Sequence, residues 1–240
     1  MINYKFFLCG TKWEPNTSND LLVVSDLSLE IYDIQNGLSE SKIHFDTDYS
    51  LSNAEWDSLS MGSMLGVAHQ NSISIFDIRD EKEAIQFVNS HSNLVRSIDF
   101  NPVRMYELAS CGDDGKTKIW DTRNHKRPLF QLCRQGHWVL SVRYNPNYGN
   151  LLITGGSDST VRLYSLNDSH FSDTTTKCDN LLKIYDDHED SVYAVDWSQQ
   201  NSWCFGSISY DGRMIIHRVT HDAQIETLLE SDNEDADESN

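Results

Sequence analysis

Residues 93–133 show the clearest alternation of hydrophobic and polar positions in the chain. NLVRSIDF alternates over residues 93–100 and stops at an Asn-Pro pair, which is typical of a strand end. Three further short apolar runs follow, separated by turn residues, at 106–111, 116–121 and 127–133. This pattern predicts four short strands in an antiparallel meander.

The turn and third strand of this unit, SCGDDGKTKIWDTR (110–123), recur along the chain. Trp120 lies six residues after Asp114, and a spacing of 44 residues leads to related positions on both sides. The upstream set is Asp26, Tyr32, Asp33, Trp56, Gln70, Phe76 and Asp77; the downstream set is Tyr144, Asp158 and Tyr164. A last copy, delayed by nine more residues, contains Trp197, Asp211 and His217. The stretch is therefore one element of a repeat.

The repeat predicts the architecture, because a lone four-stranded sheet this apolar cannot hide both of its faces. Stacking such sheets around an axis buries them against their neighbours. We expect an all-β protein, a β-propeller with five four-stranded blades in one domain, 1–229. The blades are expected at about 3–46, 50–88, 92–133, 136–186 and 189–229. Their outer strands are expected at 41–46, 83–88, 127–133, 181–186 and 224–229.

Two polar segments stand outside the repeat. The insertion NDSHFSDTTTKCDN (167–180) has no hydrophobic periodicity and accounts for the delay before the last unit. We expect a mobile insertion there, with a regulatory or partner-binding loop as the alternative. The end of the chain, 230–240, holds six acids and no base, which predicts a disordered acidic tail.

Charge and cysteine usage narrow the function classes. The net charge of −18 disfavours direct binding to nucleic-acid phosphates. The five cysteines are odd in number and scattered, which fits reduced thiols better than disulfides or a zinc site. No apolar run is long enough to cross a membrane, and FFLC near the start is too short for a secretory signal. We expect a soluble, cytoplasmic protein without direct membrane insertion.

Polar residues at fixed positions of the repeat resemble the hydrogen-bonded tetrad of WD-repeat propellers. The third unit has a loop histidine, a strand serine, a turn aspartate and a tryptophan: His91, Ser110, Asp114 and Trp120. Such residues can satisfy one another inside a packed sheet. The fifth unit supplies His188, Ser207 and Asp211, with His217 in the tryptophan position. The fourth supplies Thr154, Asp158 and Tyr164, with Gln135 in the histidine position. In the second unit Gly66 and Gln70 replace the serine and aspartate.

Longer strings resemble one subfamily of WD-repeat proteins. They are DFNPVRMYELASCGDDGKTKIWDTRN, HWVLSVRYN, HEDSVYAVDW and SYDGRMIIHRV, all within residues 91–219. They are similar to the proteins that interact with the vesicle-tethering complexes EARP (endosome-associated recycling protein) and GARP (Golgi-associated retrograde protein). The resemblance implies a seven-bladed propeller of which this chain lacks the first two blades; the sequence leaves open a fragment, a short isoform and a ring closed with fewer blades. It also implies an adaptor role in endosomal retrieval, recycling and dense-core vesicle traffic, peripherally at endosomes and the trans-Golgi network.

Such propellers usually bind protein partners on the face that carries the inter-blade loops and the turns holding the tetrad acids. The partner-binding candidates at those positions are Arg96, Asp113, Trp138, Tyr193 and Tyr210, together with His69. Aromatic and arginine side chains are frequent energetic anchors at interfaces. The acidic run 186–190 is a further candidate that would steer a basic partner, with a solvated loop as the alternative.

Catalytic interpretations are weaker. Ser110, His91 and Asp114 contain the residue types of a hydrolase triad, but they coincide with a structural position repeated in the fifth unit. The glycines of ITGGSDST (153–160) lack the following lysine of a phosphate loop, and His188-Glu189-Asp190 lacks a second histidine for zinc. We expect no catalytic, cofactor-binding or metal-binding residues, no cofactor and no small-molecule substrate.

A rival binding function comes from Trp120-Asp121-Thr122-Arg123. This run resembles the WD-x-R motif of substrate receptors of cullin-RING ubiquitin ligases, and Phe76-Asp77-Ile78-Arg79 is a weaker copy. The alternative is structural: Asp121 turns the chain after the third strand, and Arg123 forms an ion pair on the surface.

Overall fold

A computed structural model describes residues 8–15, 20–34, 43–46, 50–79, 82–132, 134–166, 180–225 and 227–228. The strands form five separate antiparallel sheets, each built from consecutive strands of the chain. We number these sheets as blades 1–5. The first strands of consecutive blades contact one another and form the inner part of the propeller. The prediction of an all-β propeller with five blades is confirmed.

The strands follow the expected order. Blade 1 contains β1 (Leu8–Trp13), β2 (Asp20–Ser25), β3 (Ser28–Asp33) and β4 (Ile43–Asp46). Blade 2 contains β5 (Leu51–Trp56), β6 (Met64–His69), β7 (Ser72–Asp77) and β8 (Lys82–Phe87), with a 3-10 turn at Ser58–Ser60. Blade 3 contains β9 (Val95–Phe100), β10 (Glu107–Gly112), β11 (Thr117–Asp121) and β12 (Phe130–Gln131).

Blade 4 contains β13 (Val139–Tyr144), β14 (Leu151–Gly156), β15 (Val161–Ser165) and β16 (Leu181–Tyr185). Blade 5 contains β17 (Val192–Trp197), β18 (Cys204–Ser209) and β19 (Met214–Arg218). The insertion 167–180, apart from Asn180, and the tail 230–240 lie outside the described residues. No helix in the described part of the chain is long and apolar enough to span a membrane.

The middle strands explain why each blade needs two neighbours. All six residues of β10 are buried. Since successive side chains of a strand point to opposite faces, both faces of the blade are covered at β10. Leu108 packs in the cluster shared with blade 2, whereas Ala109 packs in the cluster shared with blade 4. A strand buried on both faces is stable only between two other sheets, so the hydrophobic core is distributed between consecutive blades.

The prediction of an outer strand at 224–229 in blade 5 is wrong. Residues 221–225 and 227–228 are helical, and blade 5 has three strands among the described residues. Ala223 and Thr227 are both buried, and Thr227 Oγ1 donates to the Ala223 carbonyl at 2.8 Å. Their spacing of four residues places both on one face of a helix, whereas a strand would alternate at every second residue.

Two other boundaries also differ from the expected ones. The outer strand of blade 3 was expected over 127–133, but β12 covers only Phe130–Gln131. In blade 2, β8 ends at Phe87, and the side chain of Val88 is exposed rather than part of the strand. Outer strands have a neighbour on one side only, so the local pattern constrains their length weakly.

The outward faces of blades 1 and 5 are less covered than the equivalent faces between blades. Trp13 at the end of β1 is 54% exposed, whereas the aromatic residues at the end of the other inner strands are 4–7% exposed: Trp56, Phe100, Tyr144 and Trp197. Ile216 of β19 is 74% exposed, whereas Ile119, at the same position of blade 3, is fully buried. Apolar side chains that neighbouring blades cover inside the series are exposed at these two faces.

Candidate functional site

The four predicted tetrad residues of blade 3 are joined by hydrogen bonds. His91 Nδ1 lies 2.9 Å from Asp114 Oδ1, and His91 Nε2 lies 2.8 Å from Ser110 Oγ. Trp120 Nε1 donates to the same Ser110 oxygen at 2.8 Å. His91 belongs to the loop before β9, Ser110 to β10 and Trp120 to β11. The hydrogen bonds therefore hold the inter-blade loop against the two middle strands.

The direction of these bonds determines the protonation of the histidine. Trp120 has only a donor, so Ser110 accepts from it and donates its own proton to His91 Nε2. The Nδ1–H of a neutral His91 then donates to Asp114. Burial lowers the pKa of His91, although Asp114 opposes this. Burial would raise the pKa of Asp114, but the His91 hydrogen bond and nearby backbone amides lower it well below its usual range. Neutral histidine and ionised aspartate satisfy every polar group.

Blade 5 repeats the network with a second histidine. His188 Nδ1 lies 2.9 Å from Asp211 Oδ2, and His188 Nε2 lies 2.8 Å from Ser207 Oγ. His217 Nε2 is 2.7 Å from the same Ser207 oxygen. One hydroxyl proton satisfies only one ring nitrogen, so with His188 accepting it, His217 carries the Nε2 proton. Burial lowers the pKa of His217, and the carboxylate of Asp187 partly opposes this.

In blade 4 a glutamine replaces the histidine. Thr154 Oγ1 donates to Gln135 Oε1 at 2.8 Å, and Gln135 Nε2 lies 3.5 Å from Asp158 Oδ1. Tyr164 occupies the tryptophan position and is buried. The same three elements are connected, but by longer and fewer bonds than in blade 3. The tetrads of blades 3 and 5 are therefore the stronger connections between loop and sheet.

Blade 2 differs from its expected pattern. β6 and β7 are joined by a two-residue turn at Gln70-Asn71, where Gln70 has a φ of 47°. Compared with blade 3, the β5–β6 connection is one residue longer and the β6–β7 turn is one residue shorter, so Val67 rather than Gly66 lies at the serine position. His69, expected on the surface, is buried, and its Nε2 lies 2.8 Å from Ser74 Oγ. The placement of Gly66 and His69 from the 44-residue spacing was wrong, because that spacing does not detect a shortened turn.

We call the face that carries the inter-blade loops and the tetrad turns the loop face. Arg96 and Asp113 form a two-bonded ion pair there, with Nε–Oδ1 at 2.6 Å and Nη2–Oδ2 at 2.8 Å. The Arg96 guanidinium carbon lies 5.6 Å from the centre of the Trp138 ring. These three predicted candidates form one contact group, and it joins blade 3 to blade 4.

The other two candidates on the loop face form a second group in blade 5. The rings of Tyr193 and Tyr210 have centroids 4.9 Å apart and are tilted by 45°. Tyr193 is 42% exposed and Tyr210 is 71% exposed. The structure thus brings the five candidates together as one arginine–tryptophan group and one tyrosine pair.

A ring of charged residues in the inner strands was missed from the sequence. We call it the charged belt: Lys12, Glu55, Asp99, Arg143 and Asp196, one from each blade, each directly before the aromatic residue that ends the inner strand. Lys12 Nζ lies 2.7 Å from Glu55, and Arg143 lies 3.3 Å from Glu55 and 3.5 Å from Asp99. The signal in the sequence is that a charged residue directly precedes each of the repeated aromatic residues.

One member of the charged belt has a strongly altered acidity. Burial raises the pKa of Asp99 to about 7, with Arg143 lowering it and Glu55 raising it. The Tyr144 backbone N–H also donates to Asp99 Oδ2 at 2.7 Å. The inner surface at this level therefore contains opposite charges that pair across blades, including blades 2 and 4.

The two motifs of the WD-x-R type have the same local geometry. Asp121 accepts from the Arg123 backbone N–H, from its Nε at 2.9 Å and from its Nη2 at 2.8 Å. Asp77 and Arg79 make the equivalent three bonds in blade 2. Arg123 also lies over the Tyr106 ring, at 4.7 Å. The Asp-x-Arg pair is therefore a recurrent turn at the end of the third strand, with its arginine at the surface.

Two chemical interpretations of these residues can be compared with the geometry. Ser110 is fully buried between His91 and Trp120, so its oxygen does not face a substrate. Among the described residues, no group of three histidine, cysteine, aspartate or glutamate side chains is arranged to hold a metal. The arrangement supports a rigid display of surface side chains.

Comparison with known proteins gives the family. A sequence model of the EIPR1 beta-propeller family matches residues 9–164, more than half of the chain. The chain belongs to this family. The WD domain, G-beta repeat, matches residues 179–218. The predicted resemblance to one subfamily of WD-repeat proteins is thereby confirmed.

Two of three curated relatives are named as proteins that interact with EARP, and the third is named as a WD-repeat protein. The chain is 33% identical to the human EARP and GARP complex-interacting protein 1, over 90% of this chain and 64% of that protein. It is 34% identical to EARP-interacting protein 1 of Caenorhabditis elegans, over 87% of this chain and 64% of that protein. It is 31% identical to WD repeat-containing protein DWA2 of Arabidopsis thaliana, over 86% of this chain and 62% of that protein. The chain thus spans slightly less than two thirds of these relatives.

Proposed function

We propose that this protein is a noncatalytic adaptor that binds a vesicle-tethering complex of the EARP or GARP type. Membership of the EIPR1 beta-propeller family and the names of the relatives carry this proposal. Its place would be endosomal retrieval, recycling and dense-core vesicle traffic, with the protein held at endosomes and the trans-Golgi network through its partners. The fold suits this role because function in propellers is carried by surface sites on a rigid scaffold.

The loop face is the docking surface that we propose. Arg96 is held in place by Asp113 and by the Trp138 ring, so little side-chain entropy is lost when a partner contacts it. Tyr193 and Tyr210 supply exposed aromatic area in blade 5, the blade that follows Trp138. Pre-organised arginine and aromatic groups are the residue types that dominate interface energies.

A pull-down of the tagged 240-residue chain from cells, with quantitative mass spectrometry, tests the proposal. We expect enrichment of tethering-complex subunits, and a loss of that enrichment in Arg96→Ala and Tyr210→Ala. Arg123→Ala is the matched control, because Arg123 is a surface arginine at the other end of β11. Unchanged enrichment in folded Arg96→Ala and Tyr210→Ala variants would reject the loop face as the docking surface.

The same experiment separates the rival function. If the protein were a cullin-RING substrate receptor, the pull-down would enrich a ligase adaptor, and Arg123→Ala would abolish that enrichment. The bonds of Asp121 to Arg123, repeated in Asp77 and Arg79, favour the structural role of this motif. A hydrolase would show turnover that Ser110→Ala abolishes in a folded protein, and we expect no turnover to lose.

A further inference from the structure

An acidic loop lies beside the tyrosine pair of blade 5. The loop consists of residues 186–190, DDHED, and connects β16 to the inner strand β17. His188 is buried in the tetrad, whereas the four acidic residues around it are exposed: Asp186, Asp187, Glu189 and Asp190. The buried histidine anchors the loop, so the carboxylates are held at the surface.

The loop and the tyrosines form one continuous surface. The Tyr210 backbone N–H donates to the Ser191 carbonyl at 3.1 Å, and Ser209 Oγ donates to the Asp190 carbonyl at 2.8 Å. The turn that carries Tyr210 therefore lies against the acidic loop. Tyr193 lies three residues after the loop, in β17, and its ring contacts that of Tyr210.

Arg213 lies on this surface and forms ion pairs with two of its acidic residues. Arg213 lies 3.0 Å from Asp211 and 3.2 Å from Glu189, and Asp187 lies 3.6 Å from His217 Nδ1. Asp186 and Asp190 form no ion pair within the described part of the chain. The acidic loop thus has two carboxylates without an ion-pair partner in the described part of the chain, and Asp190 is the one whose backbone contacts the turn that carries Tyr210.

We propose that the tyrosine pair and the acidic loop bind an extended segment of a partner protein that carries arginine side chains. A guanidinium group stacks on an aromatic face and donates two hydrogen bonds to the oxygens of a carboxylate in its plane. The molecule uses this chemistry internally, since Arg123 lies over Tyr106 and Arg96 over Trp138 while each pairs with an aspartate. In blade 5 the aromatic and acidic groups are present and the arginine would come from the partner.

This inference rests on the proposed function for the face that it uses, but it is tested without the tethering complex. Labelled hexa-arginine and hexalysine peptides are titrated against the purified chain, with fluorescence anisotropy as the readout. We expect hexa-arginine to bind more tightly than hexalysine. Tyr210→Ala should weaken hexa-arginine binding about fivefold, and Tyr210→Phe should stay within about twofold. Trp138→Ala is the aromatic control, because Arg96 already covers that ring.

A second pair of variants separates a local site from general attraction to a chain of net charge −18. Asp190→Asn should weaken hexa-arginine binding, whereas Asp222→Asn, an exposed acid of the C-terminal helix, should not. The proposal would be overturned if Asp190→Asn and Asp222→Asn weakened hexa-arginine binding equally. It would also be overturned if the wild-type chain bound hexa-arginine and hexalysine equally and Tyr210→Ala changed neither affinity. If these peptides fail to bind while tether subunits are still enriched in the pull-down, the inference fails and the proposed function stands.

Discussion

Removing the hydroxyl group of Ser110 should lower the free energy of unfolding by more than the small volume of that group suggests. Ser110→Ala removes one oxygen from a fully buried side chain and changes the shape little. The lost oxygen accepts from Trp120 and donates to His91, both at 2.8 Å. Because no solvent reaches this position, the indole N–H and the imidazole nitrogen both lose their partner.

The magnitude follows from the number of groups left unsatisfied. Each buried polar group without a partner costs about 1–3 kcal/mol, so with two such groups we expect a loss of about 2–6 kcal/mol in the free energy of unfolding. Thr154→Ala in blade 4 removes one bond, to Gln135, and should cost about 1–3 kcal/mol. A domain is stable by only about 5–15 kcal/mol, so the larger loss is readily measured.

Urea unfolding, followed by tryptophan fluorescence, gives these values for the purified chain. Trp120→Phe removes the donor, and the double variant with Ser110→Ala should lose less than the sum of the two single variants. We expect a coupling of about 0.5–3 kcal/mol. A cost for Ser110→Ala near that of a surface substitution, together with zero coupling, would show that the tetrad does not stabilise the blade.

Three further outcomes are expected. The pKa of His91 is lowered by burial, so its contribution to stability is complete above about pH 6.5 and is lost as the pH falls; His91→Gln should remove this acid slope in urea titrations. The pKa of Asp99 is raised to about 7, so its contribution is present at low pH and is lost as the pH rises through 7; Asp99→Asn should flatten that decline. Ile119→Ala should cost about 2–5 kcal/mol, and exposed Ile216→Ala much less, by thermal unfolding. A pH profile of His91→Gln or of Asp99→Asn that runs parallel to the wild-type profile, or equal costs for the two isoleucines, would contradict these expectations.

The sequence by itself determined the fold class and the tetrads. The alternation of residues 93–100 and the 44-residue spacing of Trp120 with its equivalents are local signals, and they do not depend on how the blades pack. His91, Ser110 and Asp114 recur at fixed positions with His188, Ser207 and Asp211, which predicts a structural network before any distance is known.

The tertiary structure alone decided which side chains meet across blades. Arg96 and Trp138 belong to different repeats, and so do Arg143 and Glu55, so no periodicity within one repeat predicts their contact. The helix at 221–225 replaced an expected strand because burial of Ala223 and Thr227 selects a period of four over a period of two. Local patterns specify each blade, whereas the contacts between blades depend on the curvature of the whole series, which no short segment encodes.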